Sequence, residues 1–448
     1  MPLTAGAART VVTPPVGYRM GQWALRRGRS TGVHRDLYAR SLVISDGATT
    51  LAIVSVDVCG FPEAVSARIH SRIEEMTGIP PENVLLSSTH NHTAPDFLKS
   101  VPDELIDYSR VFADSVAGSA YEAASGERPA TVGQGAGDLP GWTVNRQYRD
   151  RPVDTEVGVL VVDGTDGMPI ARAVNFACHG VCDGCQYLEW SADFSGEMSA
   201  FMEEADPPAV SLFIQGAGGD VHPFDWWLGN LDSAHMHTHE DTRLLGEALG
   251  TEAMRAAQGC GMSPEATLEV ACEDVSLPRH KVRWTVQEAE SLRDDLVTRL
   301  PPYRGDVWPE GTTTANAAVR HPEVYGRGAN EISLAREQDY PPLEVRVQAL
   351  RIGDLVVSAV PGELFNDLGR QIKDGREGPA WCAAYCRGYI GYVSSRGPYD
   401  DIEEVPLHEI VDMARYRRFY GTTTSPFSPE AGEILVSRAV ELMREVVD

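Results

Sequence analysis

The sequence predicts an α/β fold: a mixed, mostly parallel sheet flanked by helices, with a metal site at the C-terminal ends of strands. Three observations carry this expectation. The stretches SLVIS (41–45) and TTLAIVSVDVC (49–59) are β-branched, nearly continuous apolar runs, the pattern of strands buried on both faces. Residues 62–78 then place Val65, Ile69 and Ile73 at a helical period and stop at a glycine. The chain returns to an apolar strand in PENVLLSSTHNH (81–92). Strand, helix and strand in that order make a βαβ unit, whose right-handed crossover leaves its two strands parallel.

Further strands are expected at 155–164, 169–180, 209–220, 342–363 and 388–395. Helices are expected at 103–125, 241–257, 285–299 and 429–447. The last is opened by Ser428 as N-cap, Pro429 at the first helical position and acids in its first turn. Residues 301–331 are turn-rich and weakly periodic, and read as a mobile loop or lid. No internal repeat divides the chain. It reads as one domain over 1–448, with any subdomain boundary near 270.

Composition removes several function classes. The 448 residues are 42% hydrophobic, enough for a large core, and carry 65 acidic against 39 basic side chains for a net charge of −26. A nucleic-acid binder needs a basic footprint, and the one basic run, ALRRGRS (24–30), is short and reads as a solvated loop. No apolar run is long enough to cross a bilayer, and the first fifteen residues lack the charged and apolar regions of a secretory signal. A cytoplasmic protein with a small-molecule substrate is expected, with no membrane partner and its oligomeric state left open. Eight cysteines in a chain this long are no disulfide scaffold. Cys182 and Cys185 have zinc-knuckle spacing but lack a second such pair, since Cys382 and Cys386 are spaced more widely. They read as reduced thiols.

Chemistry-bearing residues collect at predicted strand ends: His90 and His92, then His179, then Asp220 and His222, then Glu363. Ligands of open α/β sheets bind at that edge, and residues i and i+2 of a strand share a side. His90 and His92 are therefore expected to face one site. A single histidine of this kind is ordinarily a hydrogen-bonded structural residue. Repeated at several strand ends beside a carboxylate, the pattern fits the catalytic zinc set of two or three histidines and one acid. Rival motifs fail. The glycines of QGAGGD (215–220) are followed by no phosphate-binding lysine, GQGAGD (133–138) runs into LPGW and cannot open a helix, and no GxSxG elbow occurs.

Six stretches in order are more specific: GVHRDLYARSLVI (32–44), TGIPPENVLLSSTHNHTAPD (77–96), TVNRQY (143–148), SADFSGEM (191–198), QGAGGDVHP (215–223) and VPGELF (360–365). They lead into a tail containing GYIGYVSS (388–395) and FYGTTTSPFSPEAGE (419–433). Together they resemble the N-terminal catalytic domain of the neutral/alkaline non-lysosomal ceramidase family, zinc amidases, in a shorter bacterial form. The resemblance implies one Zn²⁺ per chain. It implies His90, His179 and Glu363 as ligands, with Tyr420 as a fourth if residues 400–419 are an insertion. It also implies His92 beside the bound water or substrate, Tyr392 polarising the amide oxygen, and Arg146 contacting substrate, with His34 near the site.

Two departures bear on the substrate. His222 stands where the family has a serine, and neither a C-terminal immunoglobulin-like domain nor a secretory address is expected. The expectation is a metal-dependent amidohydrolase acting on a small polar N-acyl compound. His222 either supplies a proton to the leaving amine or merely hydrogen-bonds its loop. Two other readings stay open: a zinc-dependent ester or lactone hydrolase, lyase or isomerase, and a non-catalytic metal-binding or structural protein.

Overall fold

A computed structural model describes residues 2–21, 26, 28–95, 101, 103–184, 186–224, 238–279, 341–403, 419, 421–422 and 424–447. The helix expected at 285–299, the loop expected at 301–331 and Tyr420 lie outside them. The larger sheet has eight strands: β1 (Thr4–Val11), β2 (Tyr38–Ser45), β3 (Thr50–Val56), β4 (Val84–Ser88), β5 (Arg128–Asp138), β6 (Glu156–Gly164), β7 (Pro169–Phe176) and β8 (Val210–Gln215). Their spatial order is β8-β7-β6-β5-β1-β2-β3-β4. The smaller sheet runs β9 (Leu268–Leu277), β10 (Leu343–Ile352), β11 (Leu355–Ala359) and β12 (Ala380–Ala383). Six helices matter here: α1 (Glu63–Thr77), α2 (Ile106–Ser125), α3 (Asp193–Ala205), α4 (His239–Ala257), α5 (Asn366–Asp374) and α6 (Ala431–Glu445).

The mixed α/β class and the βαβ unit β3-α1-β4 are as expected, but the predominance of parallel pairing is not. Only the two ends of the large sheet are parallel, β3 with β4 and β7 with β8. Every pairing between them is antiparallel. The layering explains the misreading. One face of the large sheet packs on α1 and α2 through Val43, Val54 and Leu86, and on α3 and α4 through Val159 and Phe213. Its other face, with Leu42, Ile53, Leu160 and Leu212, packs against Leu350, Leu355 and Trp381 of the small sheet. The small sheet in turn turns Val347 and Val356 toward α5 and α6. Helix, sheet, sheet, helix is the order of layers. Strands such as β2 and β3 are therefore buried on both faces, and a continuous apolar run reports that burial whatever the strand direction.

The expected strand 342–363 divides into β10 and β11 at Gly353, whose φ is +61°. Of 388–395, only Tyr392–Val393 is extended, paired in parallel with Glu363–Leu364. The segment GQGAGD lies inside β5, paired along its length with β6. No described helix is long and apolar enough to cross a membrane.

The large sheet curls until its ends meet. β8 packs against β2, β3 and β4, and Ser55 of β3 donates its hydroxyl to the Phe213 carbonyl of β8 at 2.6 Å. Residues 384–387, which follow β12, fill the seam. Ala384 N–H donates to the Gln215 carbonyl at 2.9 Å, and Arg387 N–H to that of Leu86 at 2.9 Å. Both parallel pairs thereby deliver their C-terminal ends to one place.

Candidate metal centre

His90 lies two residues beyond β4, in the left-handed region with φ +59°. The strand alternation expected to bring His90 and His92 to one side is thus absent. What aligns them is a crossing of two chains. Asn91 forms a parallel bridge with Gly180, and His92 N–H donates to the Gly180 carbonyl at 2.9 Å. A Cβ at position 180 would sit 2.5 Å from the His90 carbonyl oxygen, so only glycine admits this approach. The same crossing places His179 next to His90.

Each imidazole is held by a backbone carbonyl. His90 Nδ1 donates to Cys59 O at 2.7 Å, and His179 Nδ1 to Gly218 O at 3.1 Å. With their protons on Nδ1, both rings present an Nε2 lone pair inward. Those two nitrogens are 3.2 Å apart. Glu363 Oε2 approaches them at 3.3 and 3.7 Å. This oxygen is buried and has no hydrogen-bond partner. His92, half-buried, brings its Nε2 to 3.3 Å from that of His90. Two lone pairs and a carboxylate oxygen facing one another suit a cation between them, and the donor set is one that divalent metals favour. His90, His179 and Glu363 together, and Cys59 with His90 and His92, are groups able to hold an ion.

Glu363 is reached through the seam. Its N–H donates to Gly391 O at 2.9 Å, and Gly219 N–H donates to Leu364 O at 2.9 Å. Its Oε1 accepts the Tyr389 hydroxyl. Burial pushes the carboxyl up, but His90, Tyr389 and Arg146 outweigh it and hold the group below its ordinary value, ionised. Burial, reinforced by His90, Arg146 and His92, pulls His179 well below its ordinary value, so it is neutral at pH 7.

Arg146 is buried, with Nη2 donating to Gly219 O at 2.6 Å and its guanidinium carbon 5.3 Å from the centre of the Tyr392 ring. Burial lowers its proton affinity, yet Tyr392, Glu363 and Tyr385 raise it overall and keep the charge. Asp220 pins the frame. It accepts from Asn366 N–H at 2.7 Å and from Asn145 Nδ2 at 2.6 Å, and burial pushes its carboxyl up to about 6. His222 is buried in a three-residue strand paired with Thr143–Asn145, its Nδ1 donating to Pro223 O at 2.7 Å. His34 does not join the triad. It is exposed and stacks on His239, with ring centres 3.7 Å apart. Two tyrosines escaped the sequence reading. Tyr389 holds Glu363, and Tyr385 lays its ring 4.0 Å from that of His90. The spacing 385, 389, 392 after an apolar strand was the signal available.

Comparison with known proteins bears on the fold and on one segment of the chain. Residues 4–224 match the model of the neutral/alkaline non-lysosomal ceramidases, N-terminal. That part of the chain, just under half of its length, is similar to the ceramidase family. The fold is similar to that of neutral ceramidase from Pseudomonas aeruginosa, with TM-score 0.72 and 18% identity over 99% of this chain and 74% of that one. It is equally similar to a structure described as a ceramidase complexed with C2, with TM-score 0.73, 17% identity and coverage of 99% and 76%. No protein of curated function matches the chain. His90 and His179 fall within the segment matched to the ceramidase family, and Glu363 falls beyond it.

Proposed function

We propose that the protein is a zinc-dependent hydrolase that cleaves the amide bond of a small polar N-acyl compound. The observation that carries this reading is the unpartnered, buried Glu363 Oε2 facing His90 Nε2 and His179 Nε2. When bound, Zn²⁺ supplies a water acidified to a pKa of about 7 and a Lewis acid for a carbonyl. His90, His179 and Glu363 would hold it, with Tyr420 as a fourth ligand on the family resemblance alone.

The chain's own groups divide the remaining work. His92 Nε2 accepts the proton of the attacking water, its ring half-buried and its Nε2 3.3 Å from that of His90. The Tyr392 hydroxyl donates to the amide oxygen as negative charge gathers there. Arg146, charged and fixed by the Gly219 carbonyl, grips a carboxylate or other polar group of the substrate. His222 returns a proton to the leaving amine. Tyr389 keeps Glu363 in the orientation that aims Oε2 at the two imidazoles.

The test is elemental analysis of the wild-type chain and a His90→Ala/His179→Ala variant, with N-acyl amides screened by mass spectrometry. The zinc content should fall by about one per chain in the variant. Wild-type products should together exceed the substrate by the mass of one water, and the variant should make none. Equal metal and equal turnover in the two proteins would sink the reading.

A further inference from the structure

Away from the triad, three other side chains converge. One donor atom from each of His34, Glu189 and His239 lies within 4.8 Å of the other two. Their elements differ. His34 follows the two-residue strand Gly32–Val33, Glu189 belongs to the strand paired with it in parallel, and His239 opens α4. His34 N–H also donates to the Trp190 carbonyl at 2.9 Å, which ties the first two segments together.

The second observation is the state of His239. Its Nδ1 lies 2.9 Å from Asp183 Oδ1, and Asp183 is fully buried and further held by the Thr242 hydroxyl at 2.7 Å. A buried carboxylate that takes the Nδ1 proton fixes the tautomer and turns the Nε2 lone pair outward, as carboxylates do behind metal-bound histidines. His239 Nε2 is itself buried and has no hydrogen-bond partner, with Glu189 Oε2 at 3.7 Å. Tyr187 covers one face of the ring at 3.8 Å and His34 the other at 3.7 Å.

We propose that His34, Glu189 and His239 form a second site for a divalent transition metal, Zn²⁺ by its donor set, distinct from the His90 centre. Two imidazoles and a carboxylate, with Asp183 behind one of them, are a sufficient set, and water completes the coordination. Parallel rings cannot both aim a lone pair at one ion. The two planes are within 4° of each other, so His34 must turn out of the stack to bind. It is exposed, so the turn is a rotamer change that gives up the stacking on His239. Bound there, the ion would clip the first turn of α4 to the His34 and Glu189 segments. The competing occupant is a proton shared between His239 Nε2 and Glu189.

The experiment is a Co²⁺ titration of the full chain, stripped of metal, read by visible absorption and by equilibrium dialysis. The wild type should bind two equivalents, and His90→Ala/His179→Ala should keep one. His239→Ala should remove the second equivalent, and Glu189→Gln should weaken it. His34→Ala, an exposed position where the fold is not at stake, should weaken it by more than the roughly 10- to 100-fold that losing a group behind a ligand costs. The proposal is overturned if the wild type binds one equivalent that His90→Ala/His179→Ala loses, or if His34→Ala and His239→Ala bind both equivalents as the wild type does. Circular dichroism on each variant tells lost binding from lost folding.

Discussion

Replacing Tyr389 with phenylalanine removes one hydroxyl and leaves Glu363 Oε1 without its donor. Partners behind a ligand typically govern 10- to 100-fold in metal affinity. Tyr389→Phe should therefore bind Zn²⁺ more weakly by about that factor with its unfolding midpoint little changed, measured by competition with a chromophoric chelator. His70 offers a different test. It is buried on α1, and burial, aided by the Arg387 charge, lowers its pKa from 6.5 to about 4. Between those values the unfolded chain binds a proton that the native chain does not, so stability is full above pH 6.5 and falls as pH falls toward 4. At pH 5 the loss is about 2 kcal/mol, and His70→Gln should flatten that part of the denaturant midpoint against pH. The residues themselves were legible in the sequence because histidines and an acid ended apolar runs. Their tautomers were not, since the carbonyls that set them, Cys59 and Gly218, arrive from other segments.

At the scale of elements, the crossing of the His90 and His179 segments is the sensitive joint. Gly180→Ala would drive a methyl group against the His90 carbonyl. The backbones must separate, at a cost of about 1–3 kcal/mol. Zinc content and urea midpoint should both drop, and an unchanged zinc content would mean the crossing does not position the imidazoles. Individual elements were readable where local chemistry decides them. α1 declares its period and stops at Gly78, which takes φ +75°. Pairing direction was not readable, because burial on two faces leaves the same apolar run in β2 and β3 as a parallel sheet would. Nor was the cause of the alignment of His90 with His92, which is a left-handed residue and a bridge to a distant glycine, with no strand involved.

Across the whole molecule, Trp381 is the side chain most exposed to a test of how the sheets hold together. It is 3% accessible and packs in the core shared by the two sheets, so close to Gly158 of β6 that a Cβ there would lie 2.2 Å from its indole nitrogen. Trp381→Ala should cost about 3–5 kcal/mol, and both sheets should lose protection together in hydrogen exchange. Partial, one-sheet loss would show that the layers are energetically separate. The seam filled by residues 384–387 carries a further consequence, for the order in which the protein can be made. All eight strands of the large sheet have been synthesised by Gln215, yet the strip that joins β8 to β4 comes from residues more than 160 positions later. Until then Leu42, Ile53, Leu160 and Leu212 lack the layer that covers them. A nascent chain of this design leaves the ribosome with an apolar sheet face uncovered, the kind of surface that favours aggregation, and it gains Glu363 only as that face is sealed.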